Sequence, residues 1–394
     1  MGLRLNIAIA CYPTYGGSGV VATELGRHLA RIGHSVHLIS YDAPVRMPMH
    51  EPNIAFHAVT PKEYALFRQQ PYTIGLAAKM VEVILSYDID ILHVHYAIPH
   101  AVSGFLARSI VADRHPVKLI TTLHGTDITL VGSDPSYFEI VKFAIEQSDS
   151  VTAVSNSLLS ETVERFGIEK DIKVIYNFVD PNDFAPSNEA AERYKMFAPN
   201  GESLLCHISN YRPVKRAVDV VEIFARVAAE VPSKLLMVGD GVDMPLVRAR
   251  ARELDLCDKV EFLGNRGDIA EILEVSKIFL IPSESESFGL AALEAMASGC
   301  AIVGTKAGGI PEVVTPACGI LHEIGDVQGM AASCVKLLKD SRLLMELQTG
   351  AHDRALKHFD ARTKVAEYLA EYHRVLGSQE PFGPEYASPS HLSD

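Results

Sequence analysis

The sequence predicts an α/β protein built from two parallel-sheet domains. Three observations carry that prediction. Short β-branched runs alternate with longer amphipathic ones. The alternation stops across Asn177–Gly201, a polar stretch with three prolines. A second cycle of the same kind then starts. At 394 residues the chain is long enough for two cores.

In the first half, β-branched runs mark strands at 5–11, 35–41, 54–60, 91–96, 117–124, 150–155 and 173–176. Amphipathic segments at 20–32 and 74–86 lie between them, and the first sets Val20, Leu25, Leu29 and Ile32 roughly on one face. The second cycle runs through strands at 204–209, 234–238, 259–263, 278–281 and 301–305, with helices at 218–230 and near 244–254. Runs such as IFLI (278–281) and AIVG (301–304) do not alternate, as expected of strands covered on both faces. The expected organisation is a first domain at 1–180, a linker at 181–201 and a second domain at 202–360. A terminal helix at 361–377 is expected to pack back toward the first domain, ahead of a disordered Pro- and Ser-rich tail at 378–394.

Composition narrows the function. Hydrophobic residues at 48% exclude a disordered chain, and no apolar run approaches the ~18 residues of a spanning helix. The run 5–11 contains Asn6 and leads into Tyr12-Pro13, so it reads as a core strand, not a secretory leader. A net charge of −13, from 36 basic and 49 acidic residues, argues against nucleic acid or an anionic membrane as partner. The six cysteines (Cys11, Cys206, Cys257, Cys300, Cys318, Cys334) form no CxxC pair, so reduced thiols and a cytoplasmic location are expected.

Four segments can carry chemistry. At Cys11-Tyr-Pro-Thr-Tyr-Gly16-Gly17-Ser18-Gly19-Val-Val-Ala22 a strand meets a glycine-rich turn and a helix, where backbone N–H groups and the helix N-terminus favour an anion. Gly17-x-Gly19-x-x-Ala22, with Asp42 ending the next strand, also matches a dinucleotide fingerprint, so an NAD-dependent oxidoreductase is a rival reading. Four residues, Tyr12 to Tyr15, separate the strand from the first glycine, a longer loop than that fingerprint uses. A capping turn without a ligand is the bland alternative.

In the second segment, Glu284-Ser-Glu286-Ser287-Phe288-Gly289 opens a helix that carries Glu294. Its three- and four-step neighbours are Leu290, Ala291, Ala297 and Ser298, so the carboxylate needs hydrogen-bond donors such as ligand hydroxyls. Ser287, Phe288 and Gly289 add N–H groups near Glu286. A surface glutamate plus a structural ion pair weighs equally from the residues alone. The third segment, Ser209-Asn-Tyr-Arg212-Pro-Val-Lys215-Arg216, sets three cations at the C-terminal end of a strand, where open parallel sheets bind ligands. A solvated turn is its alternative.

The fourth segment is His95-Tyr96 with Thr121-Thr122-Leu-His124-Gly125-Thr-Asp127, at strand ends of the first domain. Gly125 gives His124 room to project, while packed histidines are the alternative reading. His93 and His95 share a strand face, but no third ligand stands at a recognised spacing, so no metal is expected. Gly239-Asp-Gly241 and Gly308-Gly309-Ile-Pro-Glu312 speak mainly for backbone geometry.

The run Glu286-Ser-Phe-Gly-Leu-Ala-Ala-Leu-Glu294, two glutamates with seven residues between them, resembles the donor signature of the retaining family-4 glycosyltransferases. GGSG, TTLHGTD, VTAVS, SNYRPVKR, VGDG and GGIPEV agree in order, and the resemblance extends to about Gly377. It implies the GT-B fold, two Rossmann-like parallel-sheet domains facing across a cleft. It further implies a hexosyltransferase moving N-acetylglucosamine from UDP-N-acetylglucosamine to the hydroxyl of L-malate, with retention, as in bacillithiol biosynthesis. Transfer to inositol phosphate, as in mycothiol biosynthesis, is the alternative within the family.

By the same resemblance, Glu286 holds hydroxyls of the donor sugar and Glu294 those of the ribose. Arg212 and Lys215 neutralise the pyrophosphate with N–H groups at Ser287, Phe288 and Gly289. Gly17 and Asn265 add donor contacts, Asn265 with Arg266 at uracil. His124 touches the transferred sugar and forms, with Arg212 and Lys215, the catalytic set. Acceptor contacts fall to Ser18, Tyr96, Thr122 and Asn156. The family often places a glycine after the cationic lysine, five residues beyond the arginine; here Lys215-Arg216 arrives sooner, and which of the two meets phosphate stays open. No cofactor and no metal are expected, because no ligand cluster appears and Arg212 and Lys215 supply the charge; the departing phosphate can accept the acceptor's proton, so no protein base is required. The implied partners are the two substrates; a homo-oligomer is left open.

Overall fold

A computed structural model of the chain describes residues 4–14, 17–44, 46–47, 51–60, 72–130 and 134–378. The residues form two compact units, one running to Asn177 and resuming at Ala361, the other Phe178–Asp360. Gly16 and the tail from 379, read above as part of an anion loop and as disordered, lie outside the described residues.

The first unit holds a seven-stranded sheet in the order β3-β2-β1-β4-β5-β6-β7. Its strands are β1 (Asn6–Ala10), β2 (Ser35–Ser40), β3 (Ile54–Ala58), β4 (Ile91–His95), β5 (Lys118–Leu123), β6 (Ser150–Ala153) and β7 (Ile172–Val174). All neighbours pair in parallel, so crossovers must carry the chain back, and helices such as Gly17–Arg31, Tyr72–Tyr87 and Val102–Val111 do so. Strand β1 is the centre of the core: Ile7, Ala8, Ile9 and Ala10 have no exposure. The last helix, Ala361–Leu376, belongs to this unit and buries Val365, Tyr368, Leu369 and Tyr372. Its buried Glu371 accepts a hydrogen bond from Ser150 Oγ.

The second unit holds six parallel strands in the order β10-β9-β8-β11-β12-β13. They are β8 (Ser203–Ile208), β9 (Ser233–Val238), β10 (Val260–Gly264), β11 (Ile278–Ile281), β12 (Ala301–Thr305) and β13 (Gly319–His322). Helix Ala217–Ala228 packs Val220, Val221, Phe224 and Val227 onto the sheet. Val179 N donates to Phe359 O at 3.0 Å, so the chain enters and leaves this unit side by side. Both units are therefore Rossmann-like α/β sheets.

Three local features differ from the sequence reading. Strand β13 has only four residues and no alternation. Segment 181–201, expected as a linker, forms a 3₁₀ turn at Pro181–Phe184 and a helix at Ala190–Phe197. Arg193 of that helix pairs with Glu271 at 2.6 Å, which fastens it to the second unit. The first helix begins at Gly17 rather than Val20, because Gly17-Ser18-Gly19 form its first turn. A Cβ on Gly19 would stand 2.6 Å from Tyr12 O and 2.8 Å from Thr14 O, so only glycine lets the incoming loop lie on this helix.

In each sheet the strand order reverses between the first and fourth strands of the unit. Ligands of open α/β sheets bind at the carboxyl ends of the strands at such a reversal. In the first unit that rule selects 11–14, the helix start at Gly17-Ser18 and Tyr96; in the second, 209–216 and 282–289. Among the described residues, no helix is long and apolar enough to cross a membrane. All six cysteines are free thiols, five of them buried and Cys257 exposed.

Candidate active site

At the reversal in the first unit, Tyr96 follows β4 with φ 90° and ψ 139°, a conformation that costs a side-chain-bearing residue about 1–3 kcal/mol. The backbone holds it because both sides are tied. Tyr96 N donates to Thr122 O at 2.9 Å, and Asp127 Oδ2 accepts from Ala97 N at 2.9 Å. The strained geometry turns the Tyr96 hydroxyl onto Ser18, where it donates to Oγ at 2.7 Å. Its ring lies 5.5 Å from Tyr12 and 5.3 Å from His124, centroid to centroid.

Asp127 is 1% exposed and also accepts from Gly125 N, through Oδ1, at 2.9 Å. One carboxylate thus ties the residue after Tyr96 to the residue after His124. Burial raises its pKa from an ordinary 3.8 to about 6, against the pull of the backbone donors. Burial also pushes the nearby imidazoles down: His93, His100 and His124 fall to about 3, and His95 well below its ordinary value. All four are neutral near pH 7 and serve as hydrogen-bonding groups, not as cations.

Ser18, Tyr96 and His124 are brought together at this edge. Thr122 is fully buried, and its hydroxyl is engaged by His93 Nε2 and Thr152 Oγ1, each at 2.7 Å. The expected acceptor contact at Thr122 would have to compete with these two bonds. An even residue spacing sets Thr122 on the face of His124 but one layer deeper, beneath the rim of the sheet. His93 Nδ1 meets Tyr372 OH at 2.8 Å, so His93 is part of the packing under the terminal helix. Asn156 starts helix Asn156–Phe166 after β6, and its amide donates to Tyr176 OH at 2.8 Å.

In the second unit, Pro213 opens a short 3₁₀ turn, Pro213–Lys215, and Arg216 takes the left-handed conformation at φ 49° before helix Ala217–Ala228. That change of direction separates the two neighbouring cations. Lys215 Nζ donates to Glu286 Oε1 at 2.6 Å, and Ser283 Oγ donates to the same oxygen at 3.0 Å. Arg216 turns to Asp219 in the first turn of its helix, at 2.8 Å. Arg212 is half-buried, with Nε 3.4 Å from Asn210 Oδ1. Buried His207 supports the loop beneath, with Nε2 2.9 Å from Ser209 Oγ.

Glu286 and its followers are held from the other side by the turn at Gly308-Gly309. Gly309 N donates to Glu286 O at 2.8 Å, and a Cβ on either glycine would overlap the carbonyl of Glu286 or Ser287. Ser287 and Phe288 then lead into Gly289, at φ 92°, and helix Leu290–Ala297. Glu294, in the middle of that helix, is 6% exposed. Asn265 is exposed just past β10, beside an Arg266 engaged by Asp268. Gly17 begins the first helix of the first unit.

Sequence reasoning missed Asp127, Ser283 and Tyr12 as site-builders and gave Gly308-Gly309 no partner. The signal for Asp127 was present in Gly125-Thr-Asp127, a short acidic side chain two residues after a glycine, which suits bonding to backbone N–H groups. Ser283 and the glycine pair could not be assigned, because their partners lie three residues or more than twenty residues away on folded loops.

Comparisons with known proteins agree with this architecture. Residues 15–183 match the Glycosyltransferase Family 4 description and residues 188–354 match Glycosyl transferases group 1. The chain is 45% identical, over 95% of its length and 98% of the relative, to N-acetyl-alpha-D-glucosaminyl L-malate synthase of Bacillus anthracis. It is 26% identical to D-inositol 3-phosphate glycosyltransferase of Thermobispora bispora, over 90% of each chain. Among solved structures, Anabaena HepE in complex with UDP and glucose superposes with a TM-score of 0.80 at 20% identity, covering 95% of this chain and 100% of that one. Sucrose-phosphate synthase of Thermosynechococcus elongatus does so at 0.79 and 20%, with the same coverage. With two Rossmann-like units of the GT-B type and a 45%-identical relative along nearly its whole length, the chain belongs to the family-4 glycosyltransferases.

Proposed function

We propose that the protein transfers N-acetylglucosamine from UDP-N-acetylglucosamine to the hydroxyl of L-malate, giving the α-linked glucosaminyl malate and UDP in the cytoplasm. The observation that carries this reading is the 45% identity over 95% of the chain to a relative named for that product. The second unit serves the donor: Glu294 takes the ribose hydroxyls, Glu286 those of the sugar, and Asn265 lies at the base. Lys215 and Arg212 meet the growing charge of the leaving phosphate, together with N–H groups at Ser287, Phe288 and Gly289. Lys215 fits this role better than Arg216, because it is already turned to Glu286 while Arg216 is held by Asp219.

The first unit serves the acceptor through Ser18, Tyr96 and the first turn of helix Gly17–Arg31, whose N–H groups suit a carboxylate. Neutral His124 offers a hydrogen bond to the sugar. The leaving phosphate accepts the hydroxyl proton, so the protein need supply no base. An inositol phosphate acceptor is the second reading, and it would need cations on the first unit. Tyr12, Ser18, Tyr96 and the neutral histidines, the residues described at that reversal, supply none. Incubation with UDP-N-acetylglucosamine and a panel of L-malate, D-malate and inositol phosphate, read by mass spectrometry and anomeric NMR, tests both. Preference for inositol phosphate, a β-linked product, or loss of turnover in EDTA restored by Mg²⁺ would overturn the proposal.

A further inference from the structure

His124 is joined to a second histidine that the proposed reaction does not use. His95 Nδ1 and His124 Nε2 lie 2.7 Å apart, with ring centroids at 5.0 Å and planes within 24°. The centroid separation exceeds the N···N distance by about twice the distance from an imidazole's centre to its nitrogen. The two nitrogens therefore point at each other head-on, as a true hydrogen bond requires. Burial keeps both rings neutral, so a single proton lies between them and the tautomers of the two rings are locked together.

Two arrangements satisfy that bond. If His124 Nε2–H donates, His95 must carry its own proton on Nε2. If His95 Nδ1–H donates, its Nε2 is a bare lone pair and His124 carries its proton on Nδ1. His95 is fully buried, and its Nε2 has no hydrogen-bond partner among the described residues. The first arrangement strands a buried N–H, and the second strands only an acceptor. Stranded donors are the rarer and less tolerated of the two in protein interiors. That difference opposes the modest intrinsic preference of a free imidazole for a proton on Nε2 and outweighs it because His95 Nε2 is buried.

We infer that His95 is a positioning residue that fixes His124 as an Nδ1–H donor, with its Nε2 occupied and unable to act as a base. The inference rests on the reading of His124 as a group that serves sugar transfer. It deepens that reading by assigning His124 one role, neutral donation to an oxygen of the bound substrate, and by naming the residue that enforces it. His93, one layer below with its ring 4.6 Å from that of His95 and tilted by 30°, packs against His95 and is itself anchored through Thr122 and Tyr372.

The test is imidazole ¹⁵N–¹H correlation NMR on the full-length protein with ¹⁵N-labelled histidine, the His124 signals being assigned by their loss in His124→Gln. Wild type is expected to show His124 protonated at Nδ1. His95→Leu removes the donor, and His124 should then populate the Nε2–H form. Its kcat should fall about tenfold or more with little change in donor KM, the pattern of a lost transition-state contact. His95→Asn places an amide N–H near the former Nδ1 and should restore both the spectrum and most of kcat. An Nε2–H spectrum in wild type, or a His124 tautomer indifferent to His95→Leu, overturns the inference and leaves the glycosyltransferase reading intact. The expected spectra with unchanged kcat in both His95 variants and in His124→Gln would instead overturn the reading of His124 as a site residue.

Discussion

Asp127 offers a sharp test of how the first unit is built. Its two oxygens accept from Ala97 N and Gly125 N, both at 2.9 Å, in a 1%-exposed position. An Asp127→Asn substitution keeps one carbonyl oxygen but turns an NH₂ toward the other backbone N–H. One buried donor is then unpaired, a loss of about 1–3 kcal/mol. Against this, the wild-type carboxylate carries a burden that the amide does not. Its pKa rises from 3.8 to about 6 on folding, which corresponds to about 3 kcal/mol. A carboxyl raised in the folded state binds its proton more tightly there than in the unfolded chain. Its contribution is fully present below pH 4 and is lost as pH climbs through about 6. Near pH 4 the folded group is a neutral carboxylic acid, whose hydroxyl oxygen keeps a lone pair toward the second N–H that an amide NH₂ lacks, so wild type should exceed Asp127→Asn by at most about 1–3 kcal/mol. The gap should close by about 3 kcal/mol, to near parity or slight reversal, by pH 7 to 8. Urea unfolding followed by circular dichroism at pH 4 to 8 measures it. A gap that is flat with pH, or that widens as pH rises, would refute the claim that burial dominates this carboxylate. Turnover should fall at every pH, because the same carboxylate braces the loops of Tyr96 and His124.

Three further outcomes follow from the second unit. Lys215→Ala should lower kcat about a hundredfold and Arg216→Ala less than about tenfold, since only Lys215 is turned toward Glu286; steady-state kinetics showing the reverse order would reassign the phosphate contact. Glu294→Ala should weaken UDP-sugar binding by about 1.5–3 kcal/mol in calorimetric titration, while Glu286→Ala should depress kcat more than affinity. Near wild-type values for both would remove the donor site from this helix. Gly309→Ala should destabilise the protein by about 1–3 kcal/mol and raise donor KM, because its Cβ meets the Ser287 carbonyl; an unchanged thermal midpoint and KM would mean that the Glu286 loop is not held by this turn.

Much of the architecture was legible in the residues because buried parallel strands announce themselves locally. Ile278–Ile281 and Ala301–Thr305 are strands with the bounds their β-branched runs suggested, and the reversal of strand order makes sense of a cation cluster placed just after β8. The strand Gly319–His322 escaped notice because only Ile320 and Leu321 of its four residues are apolar, so no β-branched run stands out. The seven-residue interval between Glu286 and Glu294 likewise marked the donor segment without any coordinates.

What the sequence by itself determined was the class of each segment: β-branched runs, helical faces, glycine-rich turns, and the residue types a phosphate or a sugar hydroxyl needs. These are properties of neighbours along the chain. Only the tertiary structure decided which side chain of a motif reaches the site. Lys215 and Arg216 are equivalent as a dipeptide, and they part company because Arg216 adopts φ 49° and finds Asp219 within its own helix, while Lys215 meets a glutamate 71 residues away. Thr122 and His124 share a strand face, yet one is buried and bonded to His93 and Thr152 and the other lies at the rim, a difference of one layer of sheet. The same holds for Asp127 and His95. Their pKa values and hydrogen-bond roles come from burial against residues distant in sequence, and burial is a property of the packed fold, not of any local run of residues.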